Sequence, residues 1–214
     1  MAKGIVLFGA PGAGKGTLAD KIKKIMPVVH VSTGDLLREN VRGGTEVGKK
    51  AKEFMDQGKL VPDEMVIAMV KERISKDDVK KNGFMLDGFP RTVEQAQALD
   101  KVAKIDAVVV IDIKKEDLRK RILGRRSCTK CGKIYNIYNE KLMPRKAGFC
   151  DADGMALMQR DDDNEVTFEK RWNTYIGQSD AVINYYSKKP GMVRHVDGTR
   201  TMEMSEGELK KALN

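Results

Sequence analysis

Five short stretches of the chain, residues 5–8, 28–31, 84–87, 107–111 and 192–196, are apolar with few interruptions. Runs of this kind, without polar alternation, are what strands buried on both faces require. Between them, apolar residues return every third or fourth position. Leu18, Ile22, Ile25 and Met26 form one stripe. Phe168, Trp172, Tyr175, Ile176, Ile183 and Tyr186 form a longer one that stops before Pro190 and Gly191. Such stripes predict helices. Strand and helix therefore alternate, which predicts an α/β fold: a parallel sheet of five strands covered by helices on both faces. In such sheets ligands gather beyond the carboxyl ends of the strands. Residues 9–17, 32–35, 87–91 and Asp112 all fall at those ends.

Two intervals break the alternation. In residues 33–62, Val47, Ala51, Phe54, Met55 and Gly58 mark a helix, and a turn at residues 41–44 separates it from another. Two short helices thus stand where one crossover helix would suffice, and Pro62 is expected at the first position of the helix that follows. Residues 126–163 carry turns at Gly132 and at Asp153-Gly154 and an acidic run, Asp161 to Asp163. They predict a small irregular domain inserted in the core.

The 214 residues suit one domain with insertions, and a 41% hydrophobic share is enough for a real core. No apolar run approaches the ~18 residues of a membrane span, and the start of the chain leads straight into the first strand without a secretion signal. A cytoplasmic protein without a membrane partner is expected. The net charge of +9 fits nucleic acid or a small polyanion. Lysines scattered over helices and an aromatic share of 6% favour a solvated face over a nucleic-acid stripe.

The chemistry starts at residues 9–17, GAPGAGKGT, between the first strand and the first helix. Glycines let the backbone aim several N–H groups at one centre, and the following helix points its positive end there. Gly9, Gly14 and Lys15 fit G-x-x-x-x-G-K-[ST], but Gly16 takes the hydroxyl position and the hydroxyl arrives one residue late, at Thr17. Cys128-x2-Cys131 and Cys150-x2-Asp153 pair donors at the spacing of zinc knuckles, and four protein ligands make a structural site. Asp151 is the alternative fourth donor. Arg38, Arg91, Arg121, Arg125, Arg160 and Arg171 cluster at strand ends and at the edges of the second interval, where guanidinium forks suit phosphate. Thr92 and Gln95 have capping-box spacing; Gln95 is alternatively a reader of a base edge. His30 and His195 fall within strands, remote from the cysteines.

Six motifs in order closely resemble adenylate kinases of the long, lid-bearing bacterial type: residues 9–17 (GAPGAGKGT), 32–35 (STGD), 87–92 (DGFPRT), 124–126 (GRR), 160–163 (RDDD) and 197–199 (DGT). The resemblance implies the P-loop nucleoside monophosphate kinase fold with two inserted mobile domains. Residues 1–32, 63–125 and 164–214 would form the core, 33–62 the AMP-binding domain and 126–163 the lid. It implies that Gly12, Ala13, Gly14, Lys15, Gly16, Thr17, Arg121 and Arg125 bind ATP. Thr33, Gly34, Arg38, Lys59, Leu60, Val61, Gly88, Arg91, Gln95, Arg160 and Arg171 would bind AMP, with Gln95 reading adenine. Lys15, Arg91, Arg125, Arg160 and Arg171 would be catalytic. Asp87 would hold Mg²⁺ through water, and Cys128, Cys131, Cys150 and Asp153 a structural Zn²⁺. A cis Phe89-Pro90 bond is also implied.

The reaction so implied is ATP plus AMP giving two ADP, reversibly, in the balance of adenine nucleotides, by a monomer whose flaps swing freely. The nucleophile is an AMP phosphate oxygen, already anionic, so no general base is needed. A UMP or CMP kinase, a nucleic-acid-binding zinc ribbon and a non-catalytic nucleotide switch are the rival readings. The zinc ribbon leaves the glycine loop and the strand-end arginines without a role, and the switch would bind ATP but form no ADP from ATP and AMP.

Overall fold

The computed structural model describes residues 3–57 and 59–213. In chain order the elements are β1 (Gly4–Phe8), α1 (Lys15–Ile25), β2 (Val29–Ser32), α2 (Thr33–Arg42), α3 (Glu46–Asp56), α4 (Asp63–Ile74), α5 (Asp77–Asn82), β3 (Phe84–Asp87), α6 (Val93–Asp100) and β4 (Ala107–Asp112). They continue with α7 (Lys115–Leu123), β5 (Arg125–Cys128), β6 (Ile134–Asn136), β7 (Leu157–Met158), α8 (Glu165–Ser187), β8 (Val193–Asp197) and α9 (Glu206–Leu213).

The main sheet has the order β2-β3-β1-β4-β8, and every pairing in it is parallel. Each apolar run of the sequence sits in one of its strands. Alternate residues of β1 face opposite layers: Val6 and Phe8 join one buried cluster with Val31, Leu86 and Val108, and Ile5 and Leu7 join the other with Met85, Val109 and Ile111. Helices cover both layers: Val66, Ala96 and Val182 of α4, α6 and α8 close the first, and Leu18, Leu118 and Leu209 of α1, α7 and α9 the second. Two-sided burial is why these strands read as continuous apolar runs. The chain leaves β1 towards β2 and β3 on one side and later passes to β4 on the other. The loop after β1 therefore lies where the strand order reverses, the usual place for a ligand.

β2 and β8 are each shifted by one residue from their apolar stretches, leaving out Val28 and Met192 and ending in Ser32 and Asp197. Pro62 precedes α4 as its cap instead of opening it. The helix of residues 46–56 ends before Gly58, which lies outside the described residues. The short α5 and the C-terminal α9 carry no clear sequence stripe. Residues 33–62 hold α2 and α3, packed so closely that a Cβ on Gly48 would come 2.1 Å from the Asn40 carbonyl oxygen. Residues 126–163 are less irregular than the sequence implies: β5 pairs antiparallel with β6 and β7 in a second, three-stranded sheet. The Phe89-Pro90 bond is cis.

Candidate functional site

The loop after β1 folds through Gly14 at φ 99°, a conformation that costs a Cβ-bearing residue dearly. α1 starts at the next residue, and no side chain caps its first turn. Free backbone N–H groups and the helix dipole thus point at one spot, which is an anion site in itself. Lys15 lies beside it, its Nζ donating to the Gly9 and Ala10 carbonyls at 3.0 and 3.1 Å and standing 3.9 Å from Asp87 Oδ1. Burial lowers the pKa of Lys15; Asp87 opposes that, and Arg91, Arg125 and Arg171 add to it.

Asp87 ends β3, in register with Ser32 and Leu7 at the ends of β2 and β1. Its second oxygen is 3.5 Å from His30 Nε2. Burial pushes the Asp87 carboxyl up, but Lys15, His30 and Arg91 outweigh it and leave the pKa below the usual value. An ionised carboxylate opposite a phosphate loop has the hard oxygen donors that suit a hydrated Mg²⁺.

The second strand end is built from Thr33, 2% exposed, whose hydroxyl donates to the Asp87 and Gly88 carbonyls at 3.2 and 3.0 Å. Gly88 has φ 79°, and a Cβ there would lie 2.9 Å from Thr33 Oγ1 and 3.0 Å from Arg91 Nη2. Ser32 caps α2, and Arg38, one turn on, pairs with Asp35 and lies over Gly34. Arg91 Nε donates to the Gly88 carbonyl at 2.8 Å. Its guanidinium opens onto the cleft, yet enclosure by the strand ends lowers its pKa, with Arg171 and Arg38 adding to the effect.

From the other side, Arg125 forms a two-pronged pair with Asp163, one arm at 2.8 Å, and Asp163 is 1% exposed. Arg171 pairs with Asp162. Burial, then Arg125 and Arg38, lower Arg160 to about 10. Six cations from distant parts of the chain, Lys15, Arg38, Arg91, Arg125, Arg160 and Arg171, thus share one field. Mutually repelling cations held at a helix N-terminus form a receptor for a polyanion. The two inserts face each other across it: Arg160 bears on Asp35 and Arg38, and Asp161 on Lys52.

Arg121 stands apart from this cluster. Its two arms donate to the Ala13 carbonyl at 3.2 Å and the Gly198 carbonyl at 3.0 Å, on the outer flank of the loop. Gly12, Ala13 and Gly16 complete the loop; Ala13 is buried, and a Cβ on Gly16 would meet nothing within 4 Å. Thr17 is half-buried in the first turn of α1. Lys59 is exposed, Leu60 half-buried, and Val61 part of the core. Gln95 is both a cap and more. Its N–H donates to Thr92 Oγ1 at 3.2 Å, but its side chain reaches the N–H of Arg91 at 2.7 Å instead of that of Thr92, and also Asp63 at 2.8 Å.

In the small sheet, donor atoms of Cys128, Cys131, Cys150 and Asp153 all lie within 4.8 Å of one another. The Cys131 and Cys150 sulfurs are 3.6 Å apart, close to the about 3.8 Å separation that tetrahedral Zn–S bonds impose. All three cysteines are free thiols. Asp151 turns away and accepts from the Arg145 N–H at 2.8 Å, so Asp153 is the donor that faces the sulfurs. Tyr135 Oη, 3.4 Å from Cys150 Sγ, also accepts from the Asp151 N–H.

Sequence reading missed the acidic partners of these cations. Asp35, Asp162 and Asp163 orient the arginines, His30 contacts Asp87, and Asp63 holds Gln95. In the sequence Asp35, Asp162 and Asp163 show only as members of the 32–35 and 160–163 motifs and of the acidic run 161–163, without their partners. His195 pairs with Asp112 at the rim of β4 and β8.

A sequence profile of adenylate kinases matches residues 7–191. The chain is 49% identical to the adenylate kinase of Caldicellulosiruptor bescii over 98% of both chains. It is 46% identical to that of Staphylococcus epidermidis over 93% of both, and 48% identical to that of Staphylococcus aureus over 92% of both. With the phosphate loop, the strand-end cations and these likenesses together, the chain belongs to the adenylate kinase family.

Proposed function

We propose that Mg-ATP lies over the phosphate loop and AMP over the ends of β2 and β3, with the transferring phosphoryl group among the six cations. The reaction is the reversible transfer of a phosphoryl group from Mg-ATP to AMP, giving two ADP. Gly12, Ala13, Gly14, Gly16 and Thr17 surround the ATP phosphates, Lys15 reaches the outer ones, Arg121 packs on the ATP base and Arg125 bridges the two nucleotides. Thr33, Gly34, Arg38, Lys59, Leu60, Val61, Gly88, Arg91 and Gln95 take AMP, with Arg160 and Arg171 closing over its phosphate. The observation that carries this reading is the convergence of Lys15 with five arginines drawn from four separate segments.

No side chain has to remove a proton, because the attacking phosphate oxygen is already charged. Catalysis consists of alignment and of charge placed on the equatorial oxygens. The pairs Arg125–Asp163 and Arg171–Asp162 hold two guanidinium groups ready before substrate arrives. Asp87 would hold Mg²⁺ through water, and the ion supplies further positive charge on the phosphates when bound. Residues 33–62 and 126–163 act as mobile flaps that exclude water, which would otherwise take the phosphoryl group. Adenylate kinase lids are a standing example of such gating. Cys128, Cys131, Cys150 and Asp153 carry a structural Zn²⁺ that staples the lid. The enzyme works in the cytoplasm as a monomer, because both flaps need free space. Among the described residues no helix is long and apolar enough to cross a membrane.

The test is ADP formation from ATP and AMP in the purified chain. Lys15→Ala is expected to lower kcat by about 10²–10³-fold, as loss of one preorganised charge donor does, with an unchanged circular dichroism spectrum. Near-normal turnover in this variant would remove Lys15 from the catalytic set.

A further inference from the structure

Gln95 is 2% exposed, and both ends of its side-chain amide are engaged. Nε2 donates to Asp63 Oδ1 at 2.8 Å, and Oε1 accepts the backbone N–H of Arg91 at 2.7 Å. The other oxygen of Asp63 accepts from Thr92 Oγ1 at 2.5 Å, and that hydroxyl in turn accepts the Gln95 N–H at 3.2 Å. Asp63 opens α4 and so fastens it to the first turn of α6.

A carboxylate only accepts and a backbone N–H only donates, so the amide nitrogen has to face Asp63 and the oxygen has to face Arg91. Turning the amide over would set oxygen against oxygen at Asp63 and N–H against N–H at Arg91. Two bonds would be replaced by two mismatches, each leaving a buried polar group unpaired. The locked amide keeps one N–H and one oxygen lone pair free, in a fixed order. Adenine presents a donor at its 6-amino group beside an acceptor at N1. A 6-oxopurine presents the reverse, an acceptor at O6 beside a donor at N1. One amide orientation pairs with adenine in a given pose, and the overturned amide pairs with the oxopurine in the same pose.

We infer that Asp63 is a positioning residue for base choice, holding the Gln95 amide in the orientation that matches adenine and mismatches a 6-oxopurine monophosphate. This rests on the reading of Gln95 as the contact to the AMP base. Loss of the lock acts on the ratio of the two acceptors, whereas a merely structural tie between α4 and α6 acts on stability and on both acceptors alike.

The experiment measures kcat/KM for AMP and for IMP, with ATP saturating, in the parent enzyme, Gln95→Ala and Asp63→Asn. An asparagine at 63 fills the same space but accepts an overturned amide, because its own N–H₂ donates to Oε1. Asp63→Asn is expected to lower the preference for AMP over IMP by about tenfold, the scale of one net hydrogen bond, with the KM for ATP unchanged. Gln95→Ala lowers the same preference. If Gln95→Ala lowers it and Asp63→Asn does not, even with a reduced melting temperature, the role of Asp63 is overturned and the base contact stands. If neither variant changes the preference, both are overturned. Should Asp63→Asn not fold, Asp63→Ala removes the carboxylate that fixes the amide. A smaller loss of preference is then expected, and an unchanged ratio overturns the inference.

Discussion

In the main sheet, Ile5, Val6, Leu7, Met85, Leu86, Val108 and Val109 are at most 1% exposed, and apolar neighbours surround them on two sides. In the 126–163 insert the buried cluster is Cys128, Tyr135 and Cys150, with Leu157 against it. Two of those three are candidate metal donors, and the third lies against a donor sulfur. The insert meanwhile leaves Tyr138, Met143, Phe149, Met155 and Met158 exposed. The core is held by area removed from water, which grows with size. The insert is too small for that; its buried cluster instead centres on cysteines whose donors, with those of Cys131 and Asp153, lie within 4.8 Å of one another. The difference teaches that one chain can rely on a broad apolar core in one region and gather a compact cluster of donor side chains in another.

Three measurements bear on this contrast, from the largest expected effect to the smallest. Leu86→Ala removes a side chain buried between two layers and is expected to cost about 2–5 kcal/mol, seen as a lower midpoint for the main denaturant transition. A midpoint equal to the parent's would mean that the sheet is not the cooperative centre. Removing metal with a strong chelator, or replacing Cys128 by Ser, is expected to free the insert alone. Limited proteolysis would then cut within residues 126–163 while the main transition stays put. Loss of the main transition at the same chelator level would erase the distinction between the two regions.

The smallest effect concerns acid. Asp87, Asp162 and Asp35 have pKa values below the ordinary 3.8, as burial is outweighed by Lys15 and by arginine partners. Their contribution to stability is therefore complete above 3.8 and is lost as pH falls through the lower folded values. Melting temperature should hold through mildly acidic pH and drop only below that point, and Asp87→Asn should flatten part of the drop. An equal drop in parent and variant would assign the acid response elsewhere.

The residues that sequence reading could place are those whose surroundings are uniform. Residues 5–8 and 107–111 are buried on both faces, so any register gives an apolar run. Gly14 and Lys15 are legible because the loop that needs them is local. The partnerships are not legible in the same way. Asp63 meets Gln95, and Arg125 meets Asp163, only after helices have packed, and nothing in the local pattern marks an acid as a holder of one particular amide or guanidinium. The three-stranded sheet of the insert was hidden for a related reason: β7 is two residues long, and its pairing with β5 spans the turns that the sequence shows more loudly. α5 and α9 were missed because six and eight residues give a stripe too little length to repeat.

All five core strands run the same way, so the rim where they begin lies opposite the glycine loop. Gly4 enters β1 at that rim, and five residues of strand, roughly 17 Å at the usual rise, separate it from the glycine loop. An enzyme anchored to a bead through an attachment ahead of Lys3 would present its glycine loop outward, away from the support.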